Sequence, residues 1–295
     1  MQKIIDIHGK KIAAGAAIFL LGINFLIWSG VFEKTLAPNL AVYFFNVGQG
    51  DSIFIASKDG TQILIDGGPN SKVLAELAKV MPYYDNSIDI ILLSHPHADH
   101  LSGLIDVLKR YKISKVIESG VAYSTPERDS FEEMVVQKNI ERIDIDRPAT
   151  IAFGDMVLKI LYPDVSFEDR TVKDVNETSL VILLEFEGRK VLFTGDAGKA
   201  TEDRLLALDS LEDVDVLKVG HQGSKFSSSA NFLNKILPEY AVIEVGKNSY
   251  GHPTRETLSR LANVGARIFR TDQNGTIRLE INNGKLTFFS ERDER

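Results

Sequence analysis

Three of the six histidines in this chain lie within one six-residue stretch, "HPHADH" at 95–100. The stretch directly follows an apolar run that is typical of a buried strand. His95 and His97 are two residues apart, and side chains at i and i+2 of an extended segment point to the same side. Because two imidazoles on one side can bind a single divalent ion, we predict that His95 and His97 belong to one metal site.

The neighbouring polar residues suit a second ion. Asp99 and His100 enter the following helical segment, so their side chains point away from the side shared by His95 and His97. We therefore expect them to lie beside the first site. Asp196 ends a later strand, and its carboxylate can bridge two ions. His221 follows another apolar strand and adds a nitrogen from the second half of the chain. Since the sequence has no cysteine, any bound ion must be held by histidine and carboxylate ligands.

The composition is that of an ordinary globular chain of 295 residues, with 44% hydrophobic residues, 25% charged residues and a net charge of -7. A negative net charge argues against broad, non-specific binding to duplex DNA, although a local basic groove remains compatible with it. The absence of cysteine also excludes disulfides and thiolate metal sites, and it fits either side of a membrane.

The N-terminal apolar segment at 12–32 is 21 residues long and contains no charge. As a helix rising about 1.5 Å per residue it would span about 31 Å, enough for a hydrocarbon core of about 30 Å. Lys3, Lys10 and Lys11 precede it, which favours a cytoplasmic location for 1–11 by the positive-inside rule. We predict a transmembrane anchor; a cleaved signal peptide and a buried core helix are the alternatives.

This segment sets the predicted organisation of the chain. The cytoplasmic N-terminus and the anchor are followed by a linker at 33–41, a globular domain at 42–290 and a C-terminal tail at 291–295. We expect the domain to lie on the extracytoplasmic side of the cell membrane, held by a single span, or to be secreted if the segment is cleaved. The sequence contains no signal for a protein partner.

Two halves of the domain resemble each other through segments that align in the same order at nearly one shift. These pair 51–68 with 179–196 and 88–95 with 214–221. The repeat indicates an ancient duplication, and its period is too long for a solenoid. Alternating strand and helix patterns predict two similar β-rich halves packed face to face, with helices outside. His95 and His221 then lie at equivalent strand ends, where their loops can converge.

Residues 40–290 resemble the metallo-β-lactamase fold superfamily. The motifs that carry the likeness are "LIDGG" with Asp66, "HPHADH", "FTGDAG" with Asp196 and "VGHQGS" with His221. Within it, "FFNVGQGDSIFI", "NETSLVILL" and "YGHP" resemble the soluble domain of ComEC-type competence proteins and their stand-alone relatives. The resemblance implies a four-layer αββα sandwich and a metal-dependent hydrolase with two divalent ions. The multi-helix channel of a full ComEC protein has no counterpart here, so DNA transport is not implied.

One departure from the superfamily concerns a third histidine that many members place between the first cluster and the bridging aspartate. This chain has no histidine from 101 to 220, and "NETSL" stands at 176–180. The implied ligands of the first ion are His95, His97, Asp196 and water. Those of the second ion are Asp99, His100, Asp196 and His221. The first site is therefore expected to be the weaker. Fewer imidazoles also make Mn²⁺ acceptable, so Zn²⁺ and Mn²⁺ both remain open.

Three residues are assigned catalytic roles. Asp66 precedes two glycines at a strand end, which suits a carboxylate behind the ions that orients a ligand or water. A simple turn residue is the alternative. Asp99 is assigned as a catalytic residue as well as a ligand. His252, in "YGHP", is expected to donate a proton to the leaving group or to contact a substrate oxyanion, unless it only forms a turn before proline.

Four residues near the His221 and His252 loops are predicted to bind substrate: Lys225, Lys247, Tyr250 and Arg255. The cations suit phosphates, and Tyr250, like Phe226, suits stacking on bases. A solvated rim explains these residues equally well.

The leading hypothesis is a membrane-anchored, binuclear metal-dependent hydrolase that uses a metal-bound hydroxide. A phosphodiesterase or nuclease activity on single-stranded DNA rests on the resemblance alone. One alternative is a hydrolase of a small ester, lactone or cell-envelope phosphoester. The other is a non-catalytic, metal-stabilised DNA-binding domain. The intact ligand set disfavours the last, because a retired enzyme need not keep its bridging aspartate.

Overall fold

A computed structural model describes residues 15, 17–24, 38–168 and 170–293 of the chain. It divides into two compact units, Met1–Pro38 and Asn39–Arg295. Residues 17–24 are helical, whereas 1–11 and most of the predicted span and linker lie outside the described residues. Among the residues that are described, none of the helices is both long enough and apolar enough to cross a bilayer.

Strands and helices alternate along the second unit. The strands are β1 Leu40–Phe44, β2 Ile53–Ser57, β3 Gln62–Ile65, β4 Ser87–Leu92, β5 Lys112–Glu118, β6 Glu141–Asp144, β7 Ala149–Phe153, β8 Met156–Tyr162, β9 Val181–Phe186, β10 Arg189–Phe193, β11 Val216–Lys218, β12 Tyr240–Ile243, β13 Arg267–Arg270, β14 Ile277–Asn282 and β15 Lys285–Ser290. The helices are α1 Lys72–Val80, α2 Ala98–Arg110, α3 Pro126–Gln137, α4 Lys199–Ala207, α5 Ala230–Ile236, α6 Arg255–Asn263 and α7 Thr271–Asn274. Two 3₁₀ turns are Val175–Thr178 and Gly220–Gly223.

The strands form two sheets. The first has eight strands in the order β15-β14-β1-β2-β3-β4-β5-β6, and the second has seven in the order β13-β12-β11-β10-β9-β8-β7. Leu40 is fully buried and pairs with Ile281, so the sheet begins two residues before the predicted domain start. At the other end, Glu291 N donates to Thr276 O at 3.0 Å, and the ordered unit continues into the predicted tail.

The sequence repeat corresponds to a repeat in sheet topology. Strands β2–β6 and β9–β13 each contain one antiparallel pairing followed by three parallel ones. Ile63 pairs with Ile90 in the first sheet, and Val191 pairs with Val216 in the second. These positions correspond to each other in the two sequence alignments. The register of the sheets therefore agrees with a duplication.

Three buried apolar clusters define four layers. The central cluster packs the two sheets against each other and includes Phe44 and Phe193, whose ring centroids are 6.3 Å apart. A second cluster lies between the first sheet and α1–α3 and contains Leu104. A third lies between the second sheet and α4–α6 and contains Phe232. The predicted αββα sandwich is confirmed.

Helix α2 is pressed against the loop that follows β3. Gly67 N donates to His100 O at 2.7 Å, and Gly103 N donates to Gly68 O at 2.9 Å. A Cβ on Gly103 would lie 1.9 Å from Gly67 O, so only glycine permits this approach. The contact fixes the start of α2 beside the loop that carries Asp66.

The N-terminus of α2 differs from those of α3, α5 and α6 in its capping. Thr125, Ser229 and Thr254 cap α3, α5 and α6 by accepting a hydrogen bond from a backbone N–H of the first turn. Helix α2 begins after His97, whose side chain makes no capping hydrogen bond with the described residues. Asp99 lies in its first turn, where a negative charge is favoured by the helix dipole.

Candidate metal centre

The predicted metal ligands meet where the parallel strands of both sheets end. His95 and His97 follow β4, and Asp196 and His221 follow β10 and β11. The β4–β5 and β10–β11 pairings are parallel, so the polar loops after these strands share one edge of the sandwich. Each half of the chain thus contributes ligands to a single cluster.

The buried centre of the cluster consists of His95, His100 and Asp196, and none of them exposes more than 2% of its surface. Ligand atoms of the three residues lie within 4.8 Å of one another. His100 Nε2 is 3.4 Å from Asp196 Oδ1, and the His95 and His100 ring centroids are 4.2 Å apart. Donors this close together can share a divalent cation.

His97 and Asp99 flank the centre on the side of the first sheet. His97 Nδ1 lies 3.1 Å from His95 Nε2. The Asp99 side chain is 36% exposed, and its Oδ2 lies 3.8 Å from His100 Nε2. Both residues therefore reach the cluster from its solvent side.

Asp196 connects the two halves of the cluster. Its Oδ1 accepts a hydrogen bond from Gln222 Nε2 at 2.9 Å and faces His100. Its Oδ2 lies 3.7 Å from His221 Nε2. The Asp196 backbone N donates to Ser179 Oγ at 3.2 Å, which holds the residue in place. Because the two oxygens face different histidines, the carboxylate is arranged as a bridging ligand requires. All six predicted ligands are grouped here.

Asp66 lies behind the cluster and is buried. Its Oδ1 accepts from Ser94 N at 2.7 Å, and its Oδ2 accepts from Ser94 Oγ at 2.6 Å and from His100 Nδ1 at 2.8 Å. Because His100 donates through Nδ1, the lone pair on Nε2 is left facing Asp196. Ser94 Oγ also lies 3.1 Å from His95 Nδ1, so one serine connects Asp66 to a second histidine.

Burial and neighbouring charges set the protonation of these groups. Burial, followed by the charge of His100, lowers the pKa of His95 well below its ordinary value, which keeps that imidazole neutral and able to bind metal. Burial also opposes protonation of His100, but Asp196 and Asp99 outweigh it and raise the pKa of His100. Burial favours a neutral Asp196, yet the histidines hold its pKa well below the usual range.

A second group of buried charges lies next to His100 and was not predicted. Lys218 is fully buried, forms an ion pair with Asp51 and donates to Gly195 O at 3.0 Å. Burial raises the pKa of Asp51 to about 7, against the opposing charge of Lys218. Glu244, also buried, adds a further carboxylate. Asp51 Oδ2 lies 3.8 Å from His100 Nδ1, so this network borders the metal centre from the interior.

Two cavities of about 630 Å³ each meet at the cluster, because Asn176, Asp196 and His221 line both of them. Residues that line only the first cavity include Lys199, Lys225, Phe226 and Arg260. Residues that line only the second include Gln49, His97, Asp99, Lys247, Tyr250 and His252. Each cavity therefore combines positive charge with an aromatic ring.

The predicted substrate residues divide between these cavities, with one exception. Lys225 lines the first cavity, and Lys247 and Tyr250 line the second. Arg255 is exposed at the first position of α6 and lines neither cavity. Its role in substrate binding stays a prediction.

Residues 45–246 match the family model of the metallo-β-lactamase superfamily. The chain belongs to this superfamily. The prediction of a metal-dependent hydrolase is confirmed at the level of the family, and the chain's candidate ligands lie within the four-layer sandwich described above.

Three curated relatives are similar to most of this chain. ComE operon protein 3 of Bacillus subtilis (strain 168) is 29% identical over 82% of the chain. Recombination protein 2 of Haemophilus influenzae is 29% identical over 90%, and Competence protein ComA of Neisseria gonorrhoeae is 28% identical over 83%. The chain covers only 33%, 31% and 33% of the lengths of these relatives.

Solved structures share the metallo-β-lactamase fold. YhfI from Bacillus subtilis, a metallo-β-lactamase fold protein, has a TM-score of 0.54 and 14% identity, covering 78% of this chain and 96% of its own. Zn²⁺-bound PqqB from Methylobacterium extorquens has a TM-score of 0.53 and 13% identity, covering 79% of this chain and 88% of its own. At sequence identities this low, the similarity shows the fold alone.

His252 packs against His221, one of the predicted metal ligands. Its ring centroid is 5.5 Å from that of His221 and 5.8 Å from that of Tyr250. Asn248 Oδ1 accepts from His252 N at 3.0 Å, and Asn248 Nδ2 donates to His252 O at 2.9 Å, which fixes the loop. Burial and the charge of His221 lower the pKa of His252. The structure therefore brings His252 to the cleft.

Sequence reasoning missed several polar residues of the site, among them Ser94, Asn176, Lys218 and Gln222. Lys218 is the one charged residue of the short buried strand β11, "VLK", and this charge was the available signal. Asn176 opens the "NETSL" motif that stands in place of the expected histidine. Ser94 and Gln222 are each adjacent to a ligand histidine, but nothing in their spacing indicates which way they face.

Proposed function

We propose that this protein is a membrane-anchored, binuclear metal-dependent phosphodiesterase that cleaves single-stranded DNA. The observation that carries the substrate class is the pair of cavities meeting at Asp196 and His221. A polymer must extend away from the cleaved bond in two directions, whereas a small ester or lactone needs only one pocket. The relatives named as competence and recombination proteins make DNA the favoured polymer.

The donor set fits two divalent ions. Imidazole nitrogens and carboxylate oxygens without thiolates suit either Zn²⁺ or Mn²⁺. The residues that would hold the ions are His95, His97, Asp99, His100, Asp196 and His221. When bound, such ions lower the pKa of water and polarise a phosphodiester. The neutral state that burial imposes on His95 prepares one ligand for binding.

The chain's own side chains would hold the strand on both sides of the cleaved bond. Lys225 and Lys247 place one cation in each cavity for the flanking phosphates. Phe226 and Tyr250 are 68% and 74% exposed, and stacking on bases is the role that we assign to their rings. Stacking tolerates any base, so we expect weak sequence preference.

His252 is the residue that we assign to the leaving oxygen. Its loop is fixed by Asn248, and its ring lies against His221 at the lining of the second cavity. From this position an imidazole can protonate or hydrogen-bond an oxygen that departs from phosphorus. Asp66 would keep His100 in the tautomer that binds metal.

Membrane attachment is supported by the sequence pattern at 12–32. The segment carries no charge over 21 residues and is preceded by Lys3, Lys10 and Lys11. A charge bias of this kind keeps the N-terminus in the cytoplasm and places the catalytic domain outside it.

A turnover assay on the full-length protein in detergent tests the proposal. Mn²⁺ or Zn²⁺ would be supplied with labelled single-stranded DNA, bis-p-nitrophenyl phosphate or a lactone. We expect cleavage of the DNA and of the phosphodiester, and loss of both in Asp196→Ala. Asp106→Asn, which removes a half-buried carboxylate paired with Lys109, is the matched control. Turnover of the lactone alone would favour the small-ester alternative. DNA binding without any turnover would favour the non-catalytic one.

A further inference from the structure

The proposed first metal site has fewer protein ligands than the second. His95, His97 and Asp196 are the only protein groups that the sequence assigns to it. The segment where a third histidine would stand folds instead into the 3₁₀ turn Val175–Thr178, directly before β9. We propose that Asn176, on this turn beside Asp196 and His97, is a ligand of the first ion through its carboxamide oxygen. The inference rests on the proposed binuclear function.

The carboxamide oxygen of Asn176 lacks a partner. It is buried, and it accepts no hydrogen bond from any residue that the structure describes. A buried acceptor without a donor is costly and rare in folded proteins. A cation bound at the first site would satisfy this oxygen.

The position of Asn176 supports the same role. Asn176 is one of the three residues that line both cavities, and the other two are the predicted ligands Asp196 and His221. His97, a predicted ligand of the first ion, lines the second cavity together with Asn176. The residue therefore stands at the junction of the cleft, next to the ligands already assigned to the first ion.

The turn that carries Asn176 is held firmly against the ligand loop. Asn176 N donates to Asp174 Oδ1 at 3.1 Å, and Ser179 N donates to Asn176 O at 3.1 Å. Ser179 Oγ in turn accepts from the backbone N of Asp196 at 3.2 Å. The next residue, Glu177, accepts from Thr201 N at 2.9 Å. Rigid support of this kind is what a metal ligand needs.

A carboxamide changes the metal preference of the site. Its oxygen is neutral and hard, whereas imidazole favours Zn²⁺. With Asn176, the first site would contain two imidazoles and at least two oxygens. We therefore expect the first site to accept Mn²⁺ more readily than a site with three histidines would.

Metal titration of the metal-free, full-length protein tests this assignment, with calorimetry for stoichiometry and electron paramagnetic resonance for bound Mn²⁺. The wild type should bind two Mn²⁺ ions. Asn176→Leu keeps the side-chain volume but removes the carboxamide oxygen that would bind the metal. This variant should bind one of the two Mn²⁺ ions roughly 10–100-fold more weakly. Asn176→Asp should retain both ions. Asn176→His should shift the weaker site from Mn²⁺ toward Zn²⁺. Asp174→Asn, which keeps an acceptor for Asn176 N on the same turn, is the control and should match the wild type.

The outcomes separate the inference from the proposed function. Binding of fewer than two ions by the wild type would overturn the binuclear function. Two ions in the wild type and unchanged constants in Asn176→Leu would overturn the role of Asn176 alone. If Asn176→Leu fails to fold, as judged by circular dichroism, Asn176→His decides: a Zn²⁺ preference unchanged from the wild type would contradict the assignment.

Discussion

Replacing Asp66 with asparagine tests whether the buried carboxylate sets the state of His100. Asp66 accepts three hydrogen bonds, two from Ser94 and one from His100 Nδ1. Asparagine has the same shape, but one of its terminal atoms is a donor. If the amide nitrogen replaces Oδ2, it faces the N–H of His100. If the amide is reversed, it faces the backbone N–H of Ser94. Either orientation places two donors against each other.

The size of the effect follows from these contacts. In the first orientation the Ser94 hydroxyl can rotate to accept a hydrogen bond, but His100 Nδ1 can do so only by moving its proton to Nε2, the nitrogen that faces Asp196. This removes the lone pair needed by a metal ion. Loss of such an orienting partner weakens metal binding by roughly 10–100-fold. At about 1.4 kcal/mol per factor of ten, the cost is about 1.4–2.8 kcal/mol.

Calorimetric titration of Mn²⁺ into the metal-free, full-length protein measures this loss, and a chelator competition extends the range. Asp66→Asn should show weaker binding at the ion that His100 holds, and turnover of bis-p-nitrophenyl phosphate should recover partly when Mn²⁺ is raised. Asp106→Asn should behave as the wild type. A dissociation constant in Asp66→Asn equal to that of the wild type would refute the claim that Asp66 controls the His100 tautomer.

Four further changes test the rest of the site and the fold. Asp196→Ala should release both ions, and full occupancy by elemental analysis would exclude bridging. His252→Ala should keep its metal and lower turnover by roughly 10²–10⁴-fold, less for nitrophenolate leaving groups; a change in KM alone would indicate binding only. Gly103→Ala should lower the free energy of unfolding by about 1–3 kcal/mol, because its Cβ meets Gly67 O, and an unchanged denaturation midpoint would contradict this. A reporter fused after Arg295 should be exported, and cytoplasmic reporter activity would reverse the topology.

The fold was predictable because its signals are local or repeated. The helical segment expected to begin around Asp99 and His100 is α2 in the structure, with its start at Ala98. The aligned segments of the two halves place Ile63 and Val191 on equivalent strands. A repeat at a constant shift carries information about topology that no single strand pattern contains.

The clustering of the candidate ligands was predictable for a different reason. Imidazole and carboxylate groups are few in this chain, and their spacing in "HPHADH" has a direct geometric meaning. Lys218 shows the limit of prediction from local sequence patterns. Its partner Asp51 lies 167 positions away in sequence, and only the packing of the two sheets brings them together. Pairings of that kind leave no local pattern.

Backbone strain at the site was also hidden from sequence reasoning. Asp66, His221 and Gln222 have φ angles of 58°, 50° and 48°, in the left-handed region that favours glycine. None of the three is glycine, so the sequence did not indicate a left-handed conformation at these positions. Such outliers persist only where the surrounding structure holds them, and they concentrate at functional sites.

The pairing of β1 with β14 has a consequence for the timing of biosynthesis. Leu40 pairs with Ile281, near the opposite end of the chain. A ribosome that adds 5–20 residues per second needs roughly 12–50 s to travel between these two positions. During that interval β1 lacks its partner on one side, and a nascent chain with a free strand edge is prone to wrong pairing. If the chain is exported as proposed above, the delay also leaves the first sheet incomplete before translocation. A chain threaded through a secretion channel by its N-terminal segment would therefore meet little resistance from its own folding.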